Sequence, residues 1–305
     1  MTARTIDPAE LAESIRAEIR ADLATIPDRL TVVGFLVDGD RPARTYAEYT
    51  RRACAEVGIG FDLRTPAPDA IEDAVRDASA DDRVHGVFVY YPVRDPERDR
   101  WLRELVDPRK DVEGLHSFWS RCLYENRRFV DDAGTRRAVL PCTPLAVMKL
   151  LGEAGAFRGD GDTPLASVKA CVFNRSEIVG RPLAAMLAND GAEVTSFDVS
   201  GSLSFRHAAG IQGHHVDAVE VDRATALAEA DVVVTGVPSR DFPLVRADEI
   251  KPGAVCLNFS TLKNFADDIV DRASVFVPRV GSMTVTMAMR NAVRLYRNAR
   301  LAAAE

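Results

Sequence analysis

The stretch that most constrains the fold is residues 172–198, which read VFNRSEIVGRPLAAMLANDGAEVTSFD. An apolar run ends at Phe173, polar residues follow, and apolar residues then recur at helical spacing after Gly180. A second apolar segment ends at Asp198 and predicts a second strand. Strand, turn, helix and strand in this order predict half of a dinucleotide-binding βαβ unit.

The residues of this turn determine which dinucleotide would fit. The turn keeps only Gly180 of the GxGxxG pattern, which alone is a weak signal. The amides of a helix N-terminus bind diphosphate, and Ser176 and Arg175 add a hydroxyl and a positive charge. Asp198 is placed to accept hydrogen bonds from an adenosine ribose and to repel a 2′-phosphate, so we expect NAD rather than NADP. Arg175 argues against this preference, and an ordinary α/β turn beside a solvated arginine is the alternative.

Composition limits the classes of protein to which the chain can belong. Its 305 residues are enough for two domains, and 47% hydrophobic with 28% charged residues is typical of a folded globular protein. A net charge of −7 argues against nucleic acid as a partner. No apolar run reaches the roughly 18 residues of a membrane span, and the N-terminal residues lack the apolar core of a signal peptide. We therefore expect a cytoplasmic protein without membrane contact.

Cysteine and histidine usage predicts no metal centre. The five cysteines are scattered and form no CxxC pair, so we expect reduced and mostly buried thiols. His214 and His215 are adjacent, without cysteine or carboxylate ligands at helical spacing, which makes a poor zinc site.

Predicted strands alternate with helices along the chain, which is typical of an α/β fold with parallel sheets. The strands are expected near residues 30–37, 61–64, 86–91, 168–173, 192–197, 231–235, 254–259 and 275–278, and the helices near 8–23, 42–56, 69–79, 142–151, 180–190, 223–230 and 285–302. Residues 200–218 show no clear period and predict a long surface loop. The last helix carries an arginine stripe, for which a solvated face is the simplest interpretation: Arg290, Arg294 and Arg297.

Five short motifs together resemble one known family. NRSEIVGRPLAAML resembles the GRSxIVGxPxxxLL motif of the methylenetetrahydrofolate dehydrogenase/cyclohydrolase family, and KDVEGLH resembles its KDVDGxx segment. PCTP is similar to its PCTP, GVFVYYPV lies where the family has GxxVQLPLP, and VGSMT resembles its VGPMT. The matches follow the family order over nearly the whole chain.

The resemblance implies two α/β domains that face each other across a cleft. Residues 1–150 would form the folate-binding catalytic domain, with residues 285–305 packing back on it. Residues 151–284 would form a Rossmann-type NAD-binding domain with a parallel sheet. The resemblance also implies a small-molecule folate substrate and a homodimer.

Departures from the family pattern are as informative as the matches. The bifunctional enzymes carry a YxxxK motif whose lysine is implicated in the cyclohydrolase step, and this chain keeps Tyr46 but has Thr50 at the lysine position. Tyr90 stands at the family glutamine and Glu113 at the family aspartate. A threonine hydroxyl is neutral near pH 7 and cannot replace an ammonium group. With Asp198, this pattern is similar to the monofunctional NAD-dependent dehydrogenases of fungi, and it implies that cyclohydrolase activity is lost.

The chemistry of the two reactions is consistent with an enzyme that keeps the dehydrogenase step and loses the cyclohydrolase step. Hydride transfer from the methylene bridge needs positioning and electrostatics, because the folate nitrogens stabilise the cation that forms. Hydrolysis of the methenyl group needs an activated water and a proton donor. The alternatives are a bifunctional enzyme in which another residue replaces the lysine, a non-catalytic dinucleotide-binding regulator, and a different NAD-dependent dehydrogenase on the same plan.

The resemblance assigns roles to individual residues. Glu113 would hydrogen-bond the pterin amino edge, and Tyr46 would stack on the folate ring system. Thr50 would mark the lost step, and Tyr90 would fill the altered polar network. Cofactor contacts are implied at Asn174, Arg175, Ser176, Ile178, Gly180, Asp198, Val237, Thr261 and Thr284.

Each of the catalytic-domain residues also has a plain structural alternative. Glu113 would cap a nearby helix, and Tyr46 would pack in the core of an amphipathic helix. Thr50 would bond the carbonyl four residues earlier, and Tyr90 would simply be packed on its strand. For Cys142, which lies beside the expected cleft, a buried inert thiol is the preferred interpretation.

Overall fold

The computed structural model describes residues 2–37, 41–159, 161–208 and 213–303. The chain divides into two compact units, which we describe separately. The three-strand unit comprises Ala12–Cys122, Arg128–Cys142 and Val285–Glu305, and the eight-strand unit comprises Met1–Leu11, Leu123–Arg127 and Thr143–Thr284.

Strands and helices alternate through most of the described chain. The strands are β1 (Arg4–Thr5), β2 (Thr31–Phe35), β3 (Gly60–Arg64), β4 (Gly86–Val89), β5 (Lys169–Phe173), β6 (Glu193–Asp198), β7 (Gly201–His207), β8 (His214–Val219), β9 (Val232–Thr235), β10 (Val255–Asn258) and β11 (Val275–Val277). The α-helices are α1 (Pro8–Leu23), α2 (Arg41–Val57), α3 (Ile71–Ala80), α4 (Pro96–Leu105), α5 (Ser117–Tyr124), α6 (Cys142–Glu153), α7 (Gly180–Asn189), α8 (Arg223–Glu229) and α9 (Met283–Ala302). Within the described ranges, none of these helices is long and apolar enough to cross a membrane.

The three-strand unit is built on a parallel sheet in the order β3-β2-β4. The strands β2 and β4 are apolar almost throughout, as expected for parallel strands that are covered on both faces. Phe35 and Val89 from their carboxyl ends pack with Ile71 and Val75 of α3 in one buried cluster. This core fixes the edge at which β2 and β4 end, and the predicted substrate residues lie at that edge.

The eight-strand unit has the strand order β1-β11-β10-β9-β5-β6-β7-β8. In this order, all neighbouring strands from β1 through β6 are parallel. The strand β7 is antiparallel to β6, and β8 is antiparallel to β7. The chain passes from β5 through α7 to β6 on one side of β5, whereas β9 lies on the other side. The carboxyl ends of β5 and β9 therefore flank a topological switch point, where open α/β sheets bind ligands.

The predicted α/β class is confirmed, but the prediction of a loop over residues 200–218 is wrong. Most of that segment forms the antiparallel hairpin β7–β8 at the sheet edge. Leu203 and Phe205 alternate with polar residues, a strand pattern that the flanking glycines and serines obscured. β8 is largely exposed and has no apolar period to reveal it, as is usual for an edge strand.

The helix α4 is not among the predicted elements, although its start has a clear signal in the sequence. Asp95 accepts hydrogen bonds from the amides of Glu97 and Arg98, and Pro96 occupies the first helical position. The same Asp-Pro signature marked the beginning of α1 at Asp7. The signal was therefore present in the sequence, but the highly charged composition of α4 masked it.

Truncating Phe205 tests the hairpin. Phe205 is fully buried on β7, so Phe205→Ala is expected to lower the free energy of unfolding by about 3–5 kcal/mol. Val216 lies directly opposite on β8 and is 40% exposed, so Val216→Ala is expected to cost less than about 1 kcal/mol. Denaturant titration followed by circular dichroism measures both, and equal losses would contradict the hairpin.

Candidate active site

Tyr46, Thr50 and Tyr90 lie close together in the three-strand unit. Tyr90 follows β4, and its amide donates to the Phe35 carbonyl at 3.0 Å, which extends the β2–β4 pairing by one residue. The Tyr46 ring from α2 meets the Tyr90 ring edge to face at a centroid distance of 5.8 Å. Tyr46 remains 37% exposed, so part of its ring is accessible to a flat ligand.

Thr50 is 1% exposed, and its hydroxyl donates to the Tyr46 carbonyl at 2.9 Å. The plain alternative for Thr50, a bond to the carbonyl four residues earlier, is therefore confirmed. The Tyr90 hydroxyl is buried without a well-formed hydrogen bond to any described residue. Burial raises the pKa of Tyr90, and the Thr50 side chain offsets this rise only in part. Neither residue ionises near neutral pH, so this pair supplies no charged acid or base.

Asp111 shapes the loop that carries Glu113. Its buried carboxylate accepts hydrogen bonds from the amides of Glu113, Gly114 and His116 at 2.8–3.1 Å. Gly114 has φ 70°, and a Cβ there would lie 2.7 Å from the Leu140 carbonyl carbon. Only glycine fits this conformation and this close approach, so the KDVEG loop has a fixed shape before any ligand binds.

Glu113 is half-buried at the end of β4. One of its carboxylate oxygens accepts a hydrogen bond from the Val89 amide at 2.7 Å. Burial raises the pKa of Glu113 well above its usual value, and the charge of Asp111 adds to the rise. The Val89 amide and Arg103 act in the opposite direction without cancelling it. In the free protein Glu113 is therefore protonated more readily than a solvent-exposed glutamate.

Asn291 is a buried residue of this region that the sequence analysis missed. Its amide nitrogen donates to the carbonyls of Val112 and Leu140 at 2.9 and 3.0 Å, and its own oxygen has no hydrogen-bond partner in the described chain. It thus joins the KDVEG loop to the PCTP segment. A polar residue in the apolar stripe of the last helix was the available signal.

Cys142 donates from its thiol to the same Val112 carbonyl at 3.2 Å. Burial raises the pKa of this thiol well above its usual value, which supports the preferred interpretation of an inert side chain. All five cysteines are buried and free, as predicted.

Asn174 organises the turn after β5 in the eight-strand unit. Its backbone has φ 127°, its side-chain amide donates to the Gly236 carbonyl at 2.7 Å, and its side-chain oxygen accepts from the Ser176 amide at 2.7 Å. Gly236 directly follows β9, so one side chain connects the ends of the two strands at the switch point. A Cβ on Gly180 would lie 2.0 Å from the Asn174 carbonyl oxygen, which explains the glycine.

Ser176 accepts hydrogen bonds from the first two backbone amides of α7. Its hydroxyl accepts from the Gly180 amide at 3.3 Å and its carbonyl accepts from the Arg181 amide at 3.0 Å. These two amides were expected to be available for a diphosphate, and in this conformation they are occupied. Ile178 lies half-buried in the turn of residues 177–179, which connects Ser176 to Gly180.

Asp198 and Arg175 are held in different ways at the end of β6. The Asp198 carboxylate accepts from the backbone amides of Arg175 and Val199 at 3.0 and 2.6 Å and is exposed. The Arg175 guanidinium donates to the Ser196 and Gly201 carbonyls at 3.1 Å and to another acceptor, the Ser200 hydroxyl, at 2.7 Å. The arginine is thus bound to the strand and hairpin, while the carboxylate keeps lone pairs open to solvent.

Two buried asparagines hold the remaining predicted cofactor loops. Asn264 accepts from the Val237 amide at 2.8 Å and donates to the Val237 carbonyl at 3.1 Å. Asn258 accepts from the Ser260 amide at 3.0 Å and so fixes the loop that exposes Thr261. Neither asparagine was predicted as a site residue, because Asn258 falls inside the predicted strand 254–259 and Asn264 lies in the loop beyond it.

The structure brings most, but not all, of the predicted residues into direct contact. One group forms a hydrogen-bonded turn in the eight-strand unit: Asn174, Arg175, Ser176, Gly180 and Asp198. Val237 belongs to this group because it follows Gly236, whose carbonyl accepts a hydrogen bond from Asn174. The Thr284 hydroxyl lies apart from the group and is hydrogen-bonded to the Thr143 hydroxyl at 3.3 Å. Tyr46, Thr50 and Tyr90 form the second group, and Glu113 lies near enough for its charge to raise the pKa of Tyr90. Throughout the described ranges, no three His, Cys, Asp or Glu side chains come together as a metal site.

Comparison with known proteins identifies related sequences over nearly the whole chain. Residues 6–113 match the catalytic domain of tetrahydrofolate dehydrogenase/cyclohydrolase, and residues 141–300 match its NAD(P)-binding domain. The methylenetetrahydrofolate dehydrogenase [NAD(+)] of Saccharomyces cerevisiae is 38% identical over 98% of this chain and 97% of its own length. The bifunctional protein FolD of Azoarcus sp. is 32% identical over 96% of both chains.

A solved structure agrees with the sequence comparison. The NAD-dependent 5,10-methylenetetrahydrofolate dehydrogenase from Saccharomyces cerevisiae superposes with a TM-score of 0.93 at 38% identity, covering 99% of this chain and 100% of that one. Both family domains, full-length relatives and this structural match agree with the resemblance found in the motifs. The chain belongs to the tetrahydrofolate dehydrogenase/cyclohydrolase family.

Proposed function

We propose that this protein oxidises 5,10-methylenetetrahydrofolate to 5,10-methenyltetrahydrofolate with NAD and has lost the cyclohydrolase step. The observation that carries the cofactor assignment is Asp198, an exposed carboxylate at the end of β6 beside the turn at the switch point. The yeast relatives named as NAD(+) enzymes support the same assignment.

The residues of the eight-strand unit fit a dinucleotide. Gly180 lets α7 begin close against the Asn174 carbonyl because it has no Cβ, and Ser176 and Asn174 fix the shape of the turn. Asp198 would accept hydrogen bonds from the adenosine ribose. Its charge would repel a 2′-phosphate, and the Arg175 guanidinium is already bound to three acceptors of the protein. NAD, when bound, supplies the acceptor for the hydride of the substrate.

The three-strand unit would hold the folate by stacking and hydrogen bonding. Tyr46 offers a partly exposed ring, and Glu113 lies in the fixed KDVEG loop as the acceptor for the pterin amino edge. Loss of a hydride leaves a cation delocalised over the two folate nitrogens, and a Glu113 carboxylate favours that charge. No protein group has to remove a proton, so positioning suffices for the oxidation.

Hydrolysis of the methenyl product has different requirements, and the same region does not meet them. Water must be activated and a ring nitrogen protonated, for which a tunable cation such as lysine is suited. At the family lysine position, Thr50 has its hydroxyl bonded to the Tyr46 carbonyl, and Tyr90 stays neutral. We therefore assign the oxidation alone to this protein.

Further proposals rest on the resemblance. We propose residues 1–150 with 285–305 as the folate-binding domain and residues 151–284 as the NAD-binding domain, and a homodimer in the cytoplasm. Size-exclusion chromatography with light scattering measures the assembly state.

The cofactor assignment is tested by replacing Asp198. The wild type is expected to form NADH from NAD and methylenetetrahydrofolate, with a lower kcat/KM for NADP. Asp198→Ser is expected to lower kcat/KM for NAD about tenfold, because a charged acceptor is lost, and to reduce the discrimination against NADP. Spectrophotometric rates with both cofactors give the comparison.

The control for this experiment is Asp217→Ser. Asp217 is an exposed acid of the same unit that pairs with Arg206 on the hairpin, so its removal alters net charge equally. The cofactor ratio of this variant is expected to match the wild type. A wild type that prefers NADP would contradict the ribose argument, and NAD binding without turnover would favour the non-catalytic regulator.

The loss of the second step is tested with purified 5,10-methenyltetrahydrofolate. We expect hydrolysis at the rate of buffer alone, because Thr50 and Tyr90 offer no charged acid or base. The decay of methenyl absorbance with increasing protein concentration measures it, with a bifunctional family member as the positive control. A rate that rises in proportion to this protein would identify a bifunctional enzyme instead.

Replacing Glu113 tests its role in two independent ways. Glu113→Gln is expected to lower kcat/KM about ten- to a hundredfold, because the charged acceptor for the pterin edge is lost. The folded protein raises the pKa of Glu113 above 4.5, so the stability that protonated Glu113 contributes is lost as pH rises through the folded-state value. A glutamine cannot ionise, so the stability of this variant relative to wild type is expected to increase with pH.

Thermal unfolding of the free protein from acid to alkaline pH provides the second readout. Glu56→Gln is the control, because Glu56 is 61% exposed on α2 in the same unit. Its stability relative to wild type is expected to show no comparable rise. A flat pH dependence for Glu113→Gln would refute the raised pKa, whereas unchanged kcat/KM would refute the substrate role.

A further inference from the structure

The arginine stripe of α9 lines a pocket instead of forming a simple solvated face. Arg290, Arg294 and Arg297 follow at intervals of four and three residues and so lie on one side of the helix. Together with Arg137 from the segment before α6, they line a cavity of about 270 Å³. All of its lining residues belong to the three-strand unit, and none is among the predicted folate or NAD residues.

Arg137 is fixed in place by contacts on several sides. It pairs with Phe129 in an isolated antiparallel bridge, and its guanidinium lies over the Phe129 ring at 5.3 Å from the centroid. Asn298 of α9 donates from its side-chain amide to the Arg137 carbonyl at 2.9 Å. The segment that carries Arg137 is thus bound to the same helix as the other three arginines.

The charges in this pocket are not balanced. Asp22 is the carboxylate in the described lining, and it binds Arg297 at 2.9 Å. Glu18, which is not a lining residue, has a carboxylate oxygen 3.7 Å from the Arg290 guanidinium. In the described chain, neither Arg137 nor Arg294 has a carboxylate at ion-pair distance. Two of the four guanidinium groups therefore have a carboxylate partner and the other two have none, in a protein whose net charge is −7.

Arg294 is one of the two arginines of this pocket without a carboxylate partner. It is half-buried, and its guanidinium donates to the Ala138 carbonyl at 3.2 Å. Burial lowers the pKa of Arg294 to about 10, and the charges of Arg290 and Arg137 contribute to this shift. The group still carries its positive charge at neutral pH, so an anion in the cavity would relieve an unfavourable environment.

We propose that this arginine pocket binds a phosphate-type oxyanion, either free phosphate or the phosphoryl group of a small metabolite. Planar guanidinium groups match the oxygens of phosphate with paired hydrogen bonds. The cavity is small, so it selects a compact anion. The site is independent of the proposed folate and NAD chemistry.

Isothermal titration of the full protein with inorganic phosphate tests this site. The titration is made with NAD present at saturation, so that the dinucleotide turn is filled, and at constant ionic strength set by sodium chloride. Arg294→Gln is expected to raise the dissociation constant at least about tenfold. Arg290→Gln, at a side chain that is 32% exposed, is expected to weaken binding without disturbing the fold. Arg246→Gln, at an exposed arginine of the other unit, is the charge-matched control and is expected to bind like wild type.

The outcomes separate the possible results. Saturable binding that Arg290→Gln weakens and Arg246→Gln does not would support the site, even if Arg294→Gln fails to fold. No saturable binding by the wild type, or equal affinity in all variants, would overturn it. Ribose 5-phosphate that binds more tightly than phosphate assigns the site to a metabolite, and the reverse order assigns it to the free ion. Succinate that binds more tightly than both would overturn the assignment to phosphate.

Discussion

The close approach of α7 to the carbonyl of Asn174 is the constraint on which the cofactor side of the molecule depends. A Cβ at Gly180 would lie 2.0 Å from that oxygen, so the helix can start here only with glycine. Asn174 itself has φ 127°, and its side chain connects Ser176 with Gly236. One asparagine and one glycine thereby fix the ends of β5 and β9 and the beginning of α7.

The hairpin β7–β8 gives this turn its electrostatic character. Asp198 lies where β6 passes into the hairpin, and Ser200 and Gly201 supply acceptors for the Arg175 guanidinium. Without the hairpin, the arginine would be free to neutralise a 2′-phosphate. With it, Arg175 is bound by the protein, and the Asp198 carboxylate determines the local charge. The element that was mistaken for a loop therefore supports the preference for NAD.

The sequence predicted the strand, turn and helix of β5 and α7 because the signals are local: an apolar run, a glycine and helical spacing. The roles of Asn174, Asn264 and Asn291 were not predictable, because each joins segments far apart in sequence, such as residues 112 and 291. The motif alone identified Thr50 as the residue at the family lysine position. The bond from its hydroxyl to the Tyr46 carbonyl was predictable from helix geometry. The pairing of β8 depends on neighbouring strands and left no pattern in its own residues.

Glu113 connects the architecture of the three-strand unit with its chemistry. Its loop is fixed by Asp111, by the absence of a side chain at Gly114 and by Asn291, and its carboxyl group lies half-buried against the Val89 amide. The group is therefore protonated more readily than an ordinary glutamate. A pterin edge that donates hydrogen bonds, and a product that carries positive charge, both favour the ionised form. The proposed substrate would thus favour the negative charge on Glu113 that stabilises the product.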